Sequence, residues 1–225
     1  MDFFVKIMGL RPGMRVLDLA CGYGRHALAL ARRGYQVVGV DITPCYIEDA
    51  KENAAREGLS AAFVLSDIRD VTFESEFDAV LNLADGAVGY LESDEENLKM
   101  FDTIARALKP GGGHFLDVMN AEYAERYFPK QGWEIGKQAF AISMFDWLPE
   151  TRQAVFGGAD FVYGQPAQPP EIALGNPTRL YSRAELREIY AARGMEIIDT
   201  FSDYSGTPSD QHHIQLMLFA RKQEI

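Results

Sequence analysis

Cysteine is scarce: Cys21 and Cys45 are the only two among 225 residues, too few for a disulfide framework and without the C-x-x-C spacing of a metal site. Positive charge is also in short supply. With 22 Lys and Arg against 33 Asp and Glu the net charge is −11, which opposes a phosphate backbone at long range and disfavours a nucleic-acid partner. No stretch reaches the ~20 apolar residues of a membrane span. The start, Met1-Asp2-Phe3-Phe4-Val5-Lys6-Ile7, has neither the basic opening nor the unbroken apolar run of a signal peptide. Internal repeats and long low-complexity tracts are missing. These absences, with 47% hydrophobic residues to fill a core, lead to the expectation of a cytoplasmic protein forming one domain over 1–225, without a metal or membrane partner.

What the chain does have is a strand joined to a helix through a glycine turn. Val16-Leu17-Asp18-Leu19 is short and apolar enough for an interior parallel strand, and Ala27-Leu28-Ala29-Leu30-Ala31 supplies strong helix formers immediately afterwards. Between them, Gly22 and Gly24 let the backbone turn tightly and approach a ligand with no side chain in the way. A second apolar run, Gln36 to Val40, ends at Asp41, about 20 residues beyond the turn, where a Rossmann-type fold places the carboxylate that accepts from ribose hydroxyls. An adenosine-containing ligand follows. Gly22-x-Gly24-x-x-Ala27 also satisfies the dinucleotide fingerprint, so this segment alone admits an NAD-dependent oxidoreductase.

Four ordered segments resemble the class I S-adenosylmethionine-dependent methyltransferases, strongly over residues 10 to 120 and loosely beyond. The family's first motif reads Asp/Glu-x-Gly-x-Gly-x-Gly, and Asp18-Leu19-Ala20-Cys21-Gly22-Tyr23-Gly24 departs only at Ala20, whose methyl crowds the ligand if that position takes a positive φ. Ser66-Asp67-Ile68 resembles the end of the third strand, Phe77-Asp78-Ala79-Val80-Leu81-Asn82-Leu83 the fourth strand, and Leu108-Lys109-Pro110-Gly111-Gly112 the turn into the fifth. The resemblance implies S-adenosyl-L-methionine as cofactor and an α/β fold with a doubly wound, mostly parallel seven-stranded Rossmann-like sheet. It places Gly22 and Gly24, with Ala20 and Cys21, near the methionine part, Asp41 and Ile42 at ribose, and Asp67 and Ile68 around adenine. Asp18 either reaches the methionine amino group or only ties the loop backbone, and the Leu83 carbonyl accepts from that same amino group. Cys21 also reads as a small filler.

Phe3, Phe4, Ile7, Met8 and Leu10 lie at helical spacing, so an amphipathic helix opens the chain and stops at Gly9 to Gly13. In relatives a further segment precedes this helix, which closes over the cofactor; the chain is expected either to be a short form or to draw its lid from elsewhere. Thr43 is set to cap a helix that begins at Pro44. Ser93 with Glu96 and Ser182 with Glu185 both read as capping boxes, and the acids Glu92 to Glu96 as charge at a helix start. After Asn120 the pattern changes. Gln138 to Leu148 and Gln153 to Tyr163 read as an antiparallel pair, Ile172 to Tyr181 as a third strand after the Pro-rich Gln165 to Pro170, and Met195 to Phe201 and His213 to Ala220 as closing strands. The expectation is a cofactor core over 1–120, an antiparallel β cap inserted after the fifth strand over about 121–181, and a closing helix and strand pair over about 182–225. The resemblance implies that such a cap covers the substrate or forms a homodimer contact.

The loop Ala84-Asp85-Gly86-Ala87-Val88-Gly89-Tyr90 leaves the carboxyl end of the fourth strand, where open α/β sheets put their ligands. Asp85 is the catalytic candidate: it attracts an ammonium and removes its proton, or else caps the turn. Tyr90 faces the transferring methyl or packs under the cap. Asn120 and Tyr123, after the fifth strand, bind a polar substrate or anchor the cap. His212 is a substrate candidate, although adjacent His212 and His213 on one strand point to opposite faces; His26 follows the glycine loop, and His114 is structural at the far end of its strand. The reading is in-line methyl transfer from S-adenosylmethionine to nitrogen or oxygen of a small metabolite, nitrogen favoured by Asp85. The alternatives are an NAD-dependent oxidoreductase and a non-catalytic S-adenosylmethionine-binding module.

Overall fold

The computed structural model describes residues 1–166 and 173–224. Helix α1 (Asp2–Met8) stops at left-handed Gly9 and leads to β1 (Arg15–Leu19), which turns into α2 (Arg25–Ala31). Then come β2 (Gln36–Asp41), α3 (Pro44–Glu57), β3 (Ala61–Leu65), a 3-10 turn at Ile68–Asp70, β4 (Phe77–Asn82), α4 (Asp94–Ala107) and β5 (Leu108–Met119). Beyond it lie α5 (Ala121–Tyr127), β6 (Lys130–Ile135), β7 (Ala139–Leu148), β8 (Gln153–Val162), β9 (Ala173–Leu174), β10 (Thr178–Arg179), α6 (Arg183–Ala191), β11 (Met195–Phe201) and β12 (Gln215–Lys222).

One sheet has the order β11-β12-β5-β4-β1-β2-β3, with β1 to β5 parallel and β12 antiparallel to both β5 and β11. The order reverses at β1, which pairs with β2 on one side and β4 on the other, so a crevice opens at their carboxyl ends. The sheet is apolar on both faces. Leu17, Leu19 and Val80 meet Phe101 and Ile104 of α4 and Leu186 of α6, while Val16, Ala79 and Leu81 meet Phe4 of α1, Leu28 of α2 and Ile47 of α3. Burying each such Leu, Ile or Phe side chain contributes about 1.5–3 kcal/mol, which makes this double layer the rigid base of the site.

The inserted cap is a separate antiparallel sheet, ordered β10-β8-β7-β6 with β9 on β8. Phe156 and Trp147 pack with Phe128, Ala154 and Leu180 on its inner side. The β7–β8 hairpin lies where two aromatic and β-branched runs predict it, but β6 lacks a run that would announce a strand. The third cap strand expected over 172–181 is two short pieces, and residues 167–172, with most of the Pro-rich stretch, lie outside the described residues.

Several local expectations are corrected. β5 begins at Leu108 and absorbs Lys109 to Gly112 as an irregularity opposite Asp78, so His114 sits inside the strand and not at its far end. The last strand starts at Gln215, which leaves His212 and His213 in the preceding loop, where strand alternation does not apply. The Ser182–Glu185 capping box is complete, but at Ser93 only half exists: its Oγ accepts from the Glu96 N–H while the Glu96 carboxylate turns to Arg69 and Lys99. Thr43 stands at its N-cap without a side-chain bond, and its N–H donates to Asp41 Oδ1 at 2.8 Å.

Candidate active site

The cofactor side is built by strand ends. Ala20, directly after β1, is left-handed at φ 54°, which costs a residue with a Cβ about 1–2 kcal/mol. Gly24 is needed for packing as well as conformation, since a Cβ there would stand 2.7 Å from the Phe63 ring. Asp41 closes the turn: its Oδ2 accepts from the Gly22 N–H at 2.8 Å, tying the end of β2 to the glycine loop. Beside it opens a cavity of about 300 Å³ whose walls include Ala20, Asp41, Ile42, Asp67, Ile68 and Tyr46. Tyr23 and Tyr46 pair at 4.2 Å between ring centroids next to it.

Asp67 carries three N–H donors from Arg69, one backbone and two guanidinium, which hold its carboxyl below the usual range against the opposing effect of burial. Arg69 also pairs with Glu96 at 2.6 Å and Glu92 at 3.1 Å, linking Asp67 to the start of α4. Asp18 is different. It is buried, its Oδ2 has no partner among the described residues, and burial pushes its carboxyl up to about 7, with Asp41 adding and the Ala27 N–H opposing. An orphaned buried carboxylate oxygen demands a cation or a proton. Cys21 Sγ is packed under Gly39 and burial pushes its thiol far above the usual range, so the side chain is filler and only its backbone belongs to the loop. Cys21, Gly22, Gly24, Asp18 and Leu83 stand outside the cavity wall, in the turn and strand ends behind it.

The acceptor side is built by a strained loop. Ala84, Asp85, Gly86 and Ala87 have φ of 54°, 68°, 49° and 61° in succession, a turn of left-handed helix in which three residues carry a Cβ; at about 1–2 kcal/mol each, such strain persists only where the surroundings impose it. Here the Asp85 N–H donates to Asp117 O at 2.9 Å, and Asn97 Oδ1 accepts from both Gly89 and Leu91 at 3.1 Å. The cap reaches in as well, with Arg179 N–H on Gly89 O at 2.8 Å. The loop is therefore a wall with two sides. Ala87 and Tyr90 face the cofactor cavity, while Asp85 and Tyr90 line a narrower recess with Met119, Arg179 and Tyr181. The Tyr90 hydroxyl stands 3.4 Å from Asp85 Oδ2. Burial, then Asp117, holds the Asp85 carboxyl above its usual range, and burial, then Asp85, pushes Tyr90 up to about 12.

Asp117 is the group that sequence reasoning passed over. It is buried near the end of β5 and accepts from Tyr204 Oη and Gln215 Nε2, both at 2.5 Å. A lone acid inside the apolar Phe115 to Met119 was the available signal. Asn120 is fully buried and its amide donates to Asp210 O and His213 O and accepts from the Glu122 N–H, which anchors α5. Tyr123 is buried, takes Lys130 Nζ at 2.8 Å and stacks near Tyr127. His212 is exposed and holds Tyr127 Oη at 2.6 Å. His26 is half-buried, its imidazole pushed down by burial and Arg25 while Asp117 opposes.

A parallel sheet with a glycine turn at its switch point and an acid closing the second strand defines a Rossmann-like nucleoside-binding protein. Residues 16–112 match the family model described as a methyltransferase domain. The chain is 27% identical over 213 residues, 94% of its length and 84% of the relative's, to the cypemycin N-terminal methyltransferase of a Streptomyces species. It is 31% identical over 144 residues, 58% of its length and 56% of the relative's, to the ubiquinone biosynthesis O-methyltransferase of Xylella fastidiosa; the match thus spans about half of that protein. Its fold is that of the CcbJ methyltransferase from Streptomyces caelestis, with a TM-score of 0.81 at 20% identity over 96% of this chain and 86% of that one. Residues 16–112 thus match a methyltransferase domain, and the chain shares the fold of the S-adenosylmethionine-dependent methyltransferases.

Proposed function

We propose that the chain methylates a nitrogen of a small-molecule amine. The observation that carries this reading is Asp85 on the recess, its carboxyl raised by burial and then by the buried Asp117 behind it, beside a cavity suited to a nucleoside. Its carboxylate attracts an ammonium and repels a carboxylate. S-adenosylmethionine, when bound, supplies an electrophilic methyl group on a sulfonium. Asp85 takes the proton that blocks the amine lone pair, and its raised affinity for protons makes it the stronger base. The new carbon–nitrogen bond forms in line as the carbon–sulfur bond breaks, and the proton stays on Asp85. Tyr90, which lines both the cofactor cavity and the recess beside Asp85, stands where the two spaces adjoin and orients the reactants toward each other. Asp18 and the Leu83 carbonyl hold the methionine ammonium, Gly22 and Gly24 give backbone room, Asp41 takes ribose, and Asp67 with Ile68 frames adenine. Residues 1–225 act as one unit, with the core over 1–120, the cap over 121–181 and the closing elements over 182–225.

Calorimetric titration with S-adenosylhomocysteine, with NAD in parallel, followed by a panel of amines, phenols and carboxylates, tests this. Binding of S-adenosylhomocysteine alone and methylation of amines are expected. Turnover on phenols or carboxylates alone overturns the nitrogen assignment, and binding without any turnover makes the chain a cofactor-binding module.

The outer face of the cap supports a second reading, of assembly. Trp133, Ile135, Phe140, Ile142 and Phe161 share that face through their cross-strand pairing, with Trp133 71% and Ile135 68% exposed. An apolar sheet face of this extent is unusual on a monomer, and a second copy of the chain is its proposed partner. A dimer mass by light scattering, reduced to monomer by Trp133→Glu, is expected; a monomer in the wild type removes the proposal.

A further inference from the structure

The left-handed turn at 84–87 is pinned from below by a buried polar chain that touches neither recess. Asn82, the last residue of β4, donates from Nδ2 to Gly86 O at 2.9 Å. Gly86 is pressed onto the same residue, since a Cβ on it would stand 2.7 Å from Asn82 Cβ. Asn82 Oδ1 lies 3.1 Å from His114 Nε2, and His114 Nδ1 lies 2.6 Å from Tyr190 Oη. The three side chains come from β4, β5 and α6 and are completely buried.

The hydrogen positions follow from the partners. With the Asn82 amide N–H committed to Gly86 O, its Oδ1 accepts, so His114 Nε2 carries the proton and Nδ1 accepts from the Tyr190 hydroxyl. Tyr190, His114 and Asn82 each donate once, in one direction, ending on the carbonyl of Gly86. Such aligned chains polarise one another in a low dielectric. The direction requires neutral imidazole, and burial keeps it so by pushing His114 down to about 3. An ordinary core needs none of these polar groups, and burying them carries a cost unless every link is made.

We propose that Tyr190, His114 and Asn82 are positioning residues for methyl transfer, a buried relay that holds the strained turn so that Asp85 and Tyr90 face the acceptor and Ala87 the cofactor. This rests on the methyltransferase reading of the site. The relay also joins the wall to α6, which follows the cap strand β10, so the floor and the cap of the acceptor recess share one support.

Three variants test it: Tyr190→Phe, which removes one buried oxygen; His114→Leu, which breaks both links; and His114→Gln, whose amide retains an acceptor for Tyr190 and a donor for Asn82. The first readout is amide hydrogen exchange in the full chain without ligand. Exchange across 84–91 is expected to rise about tenfold or more in Tyr190→Phe and His114→Leu, while β1 to β3 stay protected and His114→Gln stays near wild type. The second readout is turnover of S-adenosylmethionine with the panel amines against the Kd of S-adenosylhomocysteine. A fall in kcat of about ten- to a hundredfold in the breaking variants, with Kd held within about threefold and kcat restored by Gln, is the expected split. Unchanged exchange at 84–91 in both breaking variants overturns the relay. A Kd that weakens in step with kcat overturns the positioning role and makes the chain part of the cofactor scaffold. Should Leu fail to fold, Tyr190→Phe carries both readouts. A wild type that binds no S-adenosylhomocysteine defeats the methyltransferase reading alone, and exchange still decides whether the relay holds the turn.

Discussion

Gly22 and Gly24 on one side of the site, and Ala84, Asp85 and Ala87 on the other, all take left-handed backbone, yet the two halves reach that conformation by opposite routes. On the cofactor side glycine accepts the geometry without cost, Ala20 being the exception, and the acids stand at the ends of regular strands. On the acceptor side residues with a Cβ are forced into it, and Asp117, Asn97, Asn82 and Arg179 hold them there from four separate segments. On the proposed reading, a nucleoside meets backbone whose shape is intrinsic and the methyl acceptor meets a loop whose shape is imposed, and an imposed shape can change with the surrounding contacts while the other half stays as it is.

The largest separation of the two halves is expected from Asp85→Asn. Losing the proton acceptor should lower kcat by about 10²–10⁴-fold while S-adenosylhomocysteine binds as before, measured by turnover on the panel amines and by calorimetry. Because the Asp85 carboxyl is raised, wild-type turnover should fall as pH drops through a value above the ordinary carboxylate range, as Asp85 takes a proton, and Asn should abolish that limb. Equal kinetics in the two proteins would remove Asp85 from the chemistry. The converse break is Asp41→Ala. It removes a ribose acceptor and also frees the Gly22 and Thr43 amides, so S-adenosylhomocysteine should weaken by about 1–3 kcal/mol with exchange at 84–91 unchanged. Unaltered affinity would sink the ribose assignment.

The same contrast explains what could be read in advance. Strand, glycine turn, helix and Asp41 form a local pattern, with Asp41 about 20 residues beyond the turn, and Ser182 with Glu185 announces a helix start by spacing, whereas α5 after Asn120 is not announced. Asp117 and His114 act through partners 32 to 98 residues away, and no local pattern encodes such pairings. Ser93 shows the limit within one motif: its Glu96 has the right spacing, but Arg69, distant in sequence, offers a charged partner and takes it. β6 was missed because Lys130, Gln131 and Glu134 break its apolar content, and only pairing with β7 makes it a strand.

Asp18 sharpens the comparison from inside the cofactor half, where one group sets stability against binding. Its carboxyl, at about 7 in the folded chain against 3.8 as the ordinary value, holds a proton that the unfolded chain has lost over that interval. The native state therefore binds more protons, and stability should fall as pH rises from about 4 to 7, by up to about 1.4 kcal/mol per unit. Binding runs the other way. The methionine ammonium needs the ionised form, so S-adenosylhomocysteine should bind about tenfold more weakly at pH 6 than at pH 8 and release a proton on binding at pH 6. Calorimetry in buffers of different ionisation enthalpy reads that proton directly, and urea unfolding across the same interval reads the stability. Asp18→Asn should flatten both slopes at once. If it flattens the stability slope and leaves the binding slope intact, Asp18 only ties the loop backbone, and the ammonium is held by the Leu83 carbonyl without it.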